Sequence, residues 1–172
     1  MKIDTTNFKA RDEIVKLLPN SAIGIELGVA EGKFSEKLIR KGDFKKLYGV
    51  DIYAGDRGHD DGQYQEALKL LSPYKNYQLI RKTFDEALTD FDDEYFDFIY
   101  IDGYAHTGQQ EGKTLEDWYP KLKQGGIFSG DDYTERYPQN FEAVNNFIAE
   151  HNLELHIIND FNSHRTWLAK KL

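Results

Sequence analysis

The sequence contains no cysteine. That excludes a disulfide framework, a thiolate zinc site and sulfur redox chemistry, and it lends no support to secretion. Long apolar runs are missing too. No stretch approaches the roughly 20 residues a helix needs to cross a bilayer, and residues 1–7 are polar, without the apolar centre of a signal peptide. A cytoplasmic protein with no membrane partner is expected. Positive charge is also scarce: 22 Lys and Arg stand against 30 Asp and Glu, a formal charge of −8. No basic cluster is interleaved with aromatics, which argues against a nucleic-acid partner. No repeat, linker or low-complexity tract interrupts the 172 residues, a length that suits one domain spanning 1–172.

The most informative stretch is Ile23-Gly24-Ile25-Glu26-Leu27-Gly28-Val29-Ala30-Glu31-Gly32. Ile23, Ile25 and Leu27 supply the apolar run of a buried strand, Gly28 and Gly32 permit a tight turn, and Phe34, Leu38 and Ile39 fit one face of a following helix. Glu26 stands at the strand's carboxyl end, where ligands bind in an open parallel sheet. A carboxylate there accepts hydrogen bonds from an amine or a hydroxyl. The pattern reads as a nucleotide-type cofactor site.

Strand and helix signals alternate along the rest of the chain. Ile14, Leu17 and Leu18 mark a short helix stopped by Pro19-Asn20-Ser21, and a helix from near Val29 ends at Lys41-Gly42. Residues 46–51 (KLYGVD) read as a second strand ending in an acid. Residues 53–63, with Arg57 and His59, read as a mobile loop or lid before a helix over 64–71. Tyr77, Leu79 and Ile80 mark a third strand, and residues 96–101 a fourth whose continuous apolar run suits burial on both faces. Leu115, Trp118, Tyr119 and Leu122 have helical spacing, with Gly125-Gly126 as a break before a fifth strand opened by Ile127-Phe128. Phe141, Val144, Phe147 and Ile148 mark another helix. Alternation at Leu153, Leu155 and Ile157, a polar turn over 159–164 and residues 166–169 close the chain as an antiparallel hairpin.

This order of signals resembles the class I S-adenosylmethionine-dependent methyltransferases over nearly the whole chain. The resemblance rests on the E-x-G-x-x-x-G loop at 26–32, on Asp51 after the second strand and on the final hairpin. Ile101-Asp102-Gly103 with His106, Trp118-Tyr119-Pro120, Gly125-Gly126 and Gly130-Asp131-Asp132-Tyr133 look like the branch that includes macrocin-type sugar O-methyltransferases. The fold implied is α/β and Rossmann-like: a seven-stranded, mostly parallel sheet with helices on both faces and a C-terminal antiparallel hairpin. The cofactor implied is S-adenosyl-L-methionine. Its methionine part would lie along Gly28 and Gly32 with Glu26 in the supporting network, its ribose on Asp51 beside Ile52, and its adenine between Thr83 and Phe84, with Asp102 nearby. Two departures stand out. Ala30 replaces a glycine common in the superfamily, and His106 falls one residue later than the D-G-x-H of the branch.

Asp102 at the end of strand four and Asp131 with Asp132 at the end of strand five come together if those strands are neighbours. Three carboxylates repel, and a magnesium-like divalent cation relieves the repulsion. By resemblance to metal-dependent O-methyltransferases, the ion would bind an acceptor hydroxyl and lower its pKa, with His106 as the base and Asp102 beside it. The expected partner is therefore a small hydroxylated acceptor such as a sugar or polyol. At this length residues 53–63, 104–110 and 133–140 must build its pocket, with a second subunit of a homo-oligomer as a further source.

Plainer readings remain open at this point. Asp51 can cap a turn, Asp131 and Asp132 can cap a turn before Pro138, and His106 can be a loop histidine. His59, Asp60 and Asp61 fit metal ligands or a solvated loop. The aromatic stripe at 95–100, Trp118 and Trp167 read as core. Two other function classes compete. A nicotinamide-dependent oxidoreductase shares the strand-turn-helix logic but needs G-x-G-x-x-G, which is absent here. A noncatalytic cofactor-binding module would keep the fold without turnover. A nucleobase amino-methyltransferase is disfavoured, because the sequence has no Pro-Pro after strand four or anywhere else.

Overall fold

A computed structural model describes residues 3–55, 59–159 and 164–172. Seven strands form one sheet in the order β3-β2-β1-β4-β5-β7-β6. They are β1 (Ala22–Leu27), β2 (Phe44–Asp51), β3 (Tyr77–Arg81), β4 (Phe96–Ile101), β5 (Leu122–Gly130), β6 (His156–Ile158) and β7 (Thr166–Lys170). The pairs β1·β2, β1·β4, β2·β3 and β4·β5 are parallel, while β7 runs antiparallel to both its neighbours. The expected architecture is therefore present, including the adjacency of strands four and five.

Side-chain alternation with period two divides the core between the two faces of the sheet. Ile25, Leu27, Ile99, Ile101 and Phe128 pack on one face with Trp118, Phe147 and Trp167. Here lie α3 (Phe84–Ala87), α4 (Lys113–Trp118) and α5 (Pro138–Glu150). Leu47, Phe98, Tyr100, Ile127 and Leu168 face the other way, onto Ile14 and onto Phe34 and Leu38. That side is covered by a 3-10 helix (Arg11–Leu17), α1 (Lys33–Lys41) and α2 (Asp61–Leu71). Trp118, Trp167 and the inner residues of β4 are fully buried, as their spacing implied.

Three boundaries differ from the sequence reading for physical reasons. Gly125-Gly126 lies within β5 and does not precede it: Gly125 N–H donates to Lys171 O at 2.9 Å and Lys171 N–H to Gly126 O at 3.0 Å. The residues between Leu122 and Ile127 form an irregularity opposite Phe96 and Phe98, so the pair makes a bulge rather than a break. The helix placed near Val29 starts four residues later at Lys33, because Ala30 and Gly32 are left-handed (φ 50 and 84). Leu153 and Leu155 stay outside β6, which begins at His156.

Candidate active site

The strand order reverses between β1 and β4, the position where open parallel sheets bind ligands. Beyond their carboxyl ends lies a cavity of about 490 Å³, within the range of small-molecule sites. The walls include Glu26, Gly28, Asp51, Ile52, Thr83, Phe84, Asp102, His106 and Asp132, brought together from five segments. Gly32 and Asp131 are not in that wall. Gly32 caps α1, and a Cβ there would lie 2.7 Å from Leu71 Cδ1, so its job is packing against α2.

The glycine loop is held from two sides. Gly28 has φ 96, and an added Cβ would lie 2.0 Å from the Asp102 carbonyl oxygen, so only glycine lets β1 and β4 meet there. On the other side Asp51 Oδ2 accepts the backbone N–H groups of Val29 and Ala30, each at 3.0 Å, and Oδ1 accepts that of Tyr53 at 3.2 Å. An ionised carboxylate offers about four lone-pair positions, so three are engaged before any ligand arrives. His59 Nδ1 lies 3.6 Å from Asp51 Oδ2. Beside it Ile52, at the cavity wall, is 41% exposed.

The segment read as a mobile loop from residue 53 begins with a buried anchor. Tyr53 is left-handed (φ 49), its ring packs on Tyr64, and its hydroxyl donates to Ala30 O at 2.7 Å. Arg57 lies outside the described residues, as do positions 160–163 of the turn read over 159–164. Asp60 caps α2 by accepting from Gln63 N–H, and Asp61 Oδ1 meets Arg81 at 2.8 Å. Neither joins His59 in a metal cluster.

Glu26 is buried and accepts a hydrogen bond from Ser35 Oγ, which lies 2.9 Å from Tyr77 Oη. Gly49 makes this chain possible, because a Cβ there would fall 1.9 Å from that hydroxyl. Burial pushes the Glu26 carboxyl up to about 8, against the opposing Ser35 bond. Thr83 spends its polar atoms on the α3 cap, exchanging hydrogen bonds with Glu86, while Phe84 packs beneath Gly103 and edge-on to Tyr104.

At the far end of the cavity the acids are arranged differently from the sequence expectation. Asp102 and Asp131 are joined by a residue the motif reading missed: Arg11 Nη1 donates to Asp102 Oδ2 at 3.0 Å and to Asp131 Oδ2. Thr166 Oγ1 donates to the other oxygen of Asp131 at 3.2 Å. Asp132 is left-handed (φ 58), and its Oδ1 lies 2.6 Å from His164 Nδ1. Asn140 fixes this turn by donating to the carbonyls of Asp131 and Asp132, and buried Gln109 donates to Asn140. Among the described residues no three His, Asp or Glu side chains are placed to share a metal ion. The expected Asp102, Asp131 and Asp132 metal set therefore does not fit, because a guanidinium already spans two members and His164 holds the third.

His106 reaches the cavity wall from a 3-10 turn, Ala105–Thr107, entered through left-handed Tyr104 (φ 56). Its ring stands edge-on to Tyr137 at 4.8 Å, and Tyr137 also stands edge-on to His164 at 5.2 Å. Residues 133–140 thus support the pocket from behind rather than lining it. Arg11 and His164 carried no motif signal. Arg11 precedes the first strand, and His164 becomes relevant only where β7 returns beside β5.

A sheet of this order, with an acid-glycine loop under a cavity and a carboxylate ending the neighbouring strand, defines the class I S-adenosylmethionine-dependent methyltransferase fold. Residues 25–133 match the family described as a methyltransferase domain, and the chain belongs to that family. The match leaves the oxidoreductase reading without support. A curated but uncharacterised protein of Sinorhizobium fredii, y4gI, is 31% identical over 114 residues; the matched part is 60% of this chain and 12% of that protein. The chain thus spans about an eighth of that relative's length. The fold is similar to an rRNA methylase from Streptococcus thermophilus (TM-score 0.68, 17% identity, covering 94% of this chain and 93% of that one). It is also similar to an S-adenosylmethionine-dependent O-methyltransferase from Thermotoga maritima (TM-score 0.68, 13% identity, covering 94% and 63%).

Proposed function

We propose that this chain transfers a methyl group from S-adenosylmethionine to a hydroxyl of a small, polyhydroxylated molecule such as a sugar or polyol. The observation that carries this reading is that His106, Asp102 and Asp132 share one cavity with Glu26, Gly28 and Asp51. The first three form a polar end suited to hydroxyl groups, and the last three form the cofactor end. The net charge of −8 favours such an acceptor over nucleic acid.

The residues present suit the cofactor. Glu26 would lie toward the methionine end, the remaining lone pair of Asp51 would accept from a ribose hydroxyl, and exposed Ile52 with Phe84 would offer apolar surface to the base. Bound there, S-adenosylmethionine supplies an electrophilic methyl group on a sulfonium. His106 would take the proton of the acceptor hydroxyl as its oxygen accepts the methyl group, with Asp102 and Asp132 beside it in the cavity wall. The protein's part is positioning and proton removal. Divalent metal assistance has no place in this scheme, since the carboxylates expected to hold it are engaged by Arg11 and His164.

The test is calorimetric titration with S-adenosylhomocysteine, with NADH as control, followed by transfer of labelled methyl groups to a panel of sugars and polyols. Saturable binding of the former alone, with O-methyl products identified by NMR, supports the reading. Binding without transfer to any hydroxyl, or transfer only to amines or RNA, overturns the acceptor class. No binding by a folded protein overturns the cofactor site.

A further inference from the structure

We propose that Arg11 is the built-in cation of the acceptor side, holding Asp102 and Asp131 together in the place a divalent ion would otherwise occupy. The proposal concerns the cavity assigned above, but its test reads metal binding, so it fails or stands apart from the methyl-transfer reading.

Three observations converge on Arg11. First, its helix is anchored, so the side chain is delivered rigidly. Ile14 is fully buried in the core, buried Asp12 pairs with Lys41 at the end of α1, and Glu13 accepts the N–H groups of Lys9 and Ala10 at 2.6 and 3.2 Å. Second, the guanidinium is sandwiched. Its carbon lies 4.2 Å from the centroid of the Phe34 ring, while Nη1 reaches both carboxylates and approaches Tyr100 Oη at 3.5 Å. A planar, weakly hydrated cation stacked on an aromatic face is suited to partly buried ion pairing in a way an ammonium is not. Third, Arg11 itself lines the cavity, between Phe34 and Asp102.

The chemistry requires some cation there. Asp102 and Asp131 sit at the ends of paired strands, with Asp131 N–H donating to Ile101 O at 3.0 Å and Asp102 N–H to Leu27 O at 2.7 Å. The backbone therefore forces the two carboxylates to be neighbours. Without a positive charge between them, repulsion and burial would leave one carboxyl protonated or drive its side chain out toward water. The guanidinium keeps Asp102 aimed into the cavity and Asp131 against Thr166. Arg11 is thus a positioning residue, acting on the acceptor through Asp102.

Mn²⁺ titration followed by electron paramagnetic resonance, in which the free-ion signal falls on binding, tests this with the full chain. The wild type is expected to show no saturable site at millimolar Mn²⁺. Arg11→Gln, which keeps the stem but removes the charge, is expected to expose the acid pair and bind at least about tenfold more tightly, a gain of about 1.4 kcal/mol. Arg11→Gln combined with Asp131→Asn should lose that gain, and Arg11→Lys, which keeps the charge but not the stacked planar fork, should fall between wild type and Arg11→Gln. Saturable Mn²⁺ binding by the wild type that Asp131→Asn abolishes overturns the proposal outright, and this arm needs no Arg11 variant to fold. It is equally overturned if a cooperatively melting Arg11→Gln binds no Mn²⁺.

Discussion

The Tyr53 hydroxyl donates to the carbonyl of Ala30 at 2.7 Å, tying the second residue after β2 to the apex of the glycine loop. Both residues are left-handed, a conformation that costs an L-residue roughly 1–2 kcal/mol. The bond therefore holds a strained turn in the shape the cavity needs. Tyr53→Phe is expected to lower stability by about 1 kcal/mol and to weaken S-adenosylhomocysteine binding. Ala30→Gly should raise the melting temperature, because it relieves the strain at φ 50. Thermal melts of the two variants check both statements.

Asp51 has a structural duty besides any ligand it holds, since its carboxylate caps the N–H groups of Val29 and Ala30. Asp51→Ala orphans these two donors and the N–H of Tyr53 and is expected to cost about 2 kcal/mol as well as most of the cofactor affinity. Asp51→Asn keeps an acceptor oxygen, so it should retain most of the stability while still weakening binding. Urea melts beside calorimetry separate the two effects. Equal loss of stability in both variants would show that charge, not the hydrogen bonds, supports the loop.

Burial raises Glu26 from 4.5 to about 8. An acid whose folded-state pKa lies above its unfolded value stabilises the fold most fully below the unfolded pKa. That stability is lost as pH climbs through the folded pKa. Asp131, pushed from 3.8 up to about 7 by burial with Asp102 adding to it, acts in the same direction. Stability is therefore expected to fall between about pH 4.5 and 8. Glu26→Gln should flatten that slope and gain on the order of 2 kcal/mol at pH 8, read from denaturant midpoints across the pH series. A slope unchanged by the substitution would show that Glu26 is already ionised in the folded protein.

His106 and His164 both stand edge-on to Tyr137, and of the two only His106 is in the cavity wall. His106→Asn is expected to lower kcat by roughly a hundred- to ten-thousand-fold, with S-adenosylhomocysteine affinity unchanged. His164→Asn should have a smaller effect, acting through the orientation of Asp132. Single-turnover methyl transfer beside calorimetry distinguishes them, and the reverse ranking would move the base to His164.

Much of the architecture was legible because it follows from local rules. Apolar runs with a helical or two-residue period, punctuated by glycines and acids, placed five strands close to their observed positions and β5 from Ile127 onward. They also placed the loop at 26–32 and Asp51 at one sheet edge. The seventh strand, β6, and the start of α1 were read less well. In both places backbone conformation outside regular structure decided the outcome, through left-handed Ala30 and Gly32 and through pairing that begins only at His156. The acid pair of strands four and five was legible, but its counter-charge was not. Arg11 is 91 positions from Asp102 and 120 from Asp131, and nothing in local spacing links residues so far apart.

By itself the sequence determined the order of strands and helices, the glycine turn and the acids that end β1, β2, β4 and β5, because hydrophobic periodicity and backbone freedom act over a few residues. The tertiary structure alone decided which charges meet. Folding brought a guanidinium from ahead of β1 and a histidine from beside β7 to carboxylates whose spacing in the sequence alone suggests a metal. Coulomb interactions and desolvation depend on distance in space, and that distance is set only when the sheet closes.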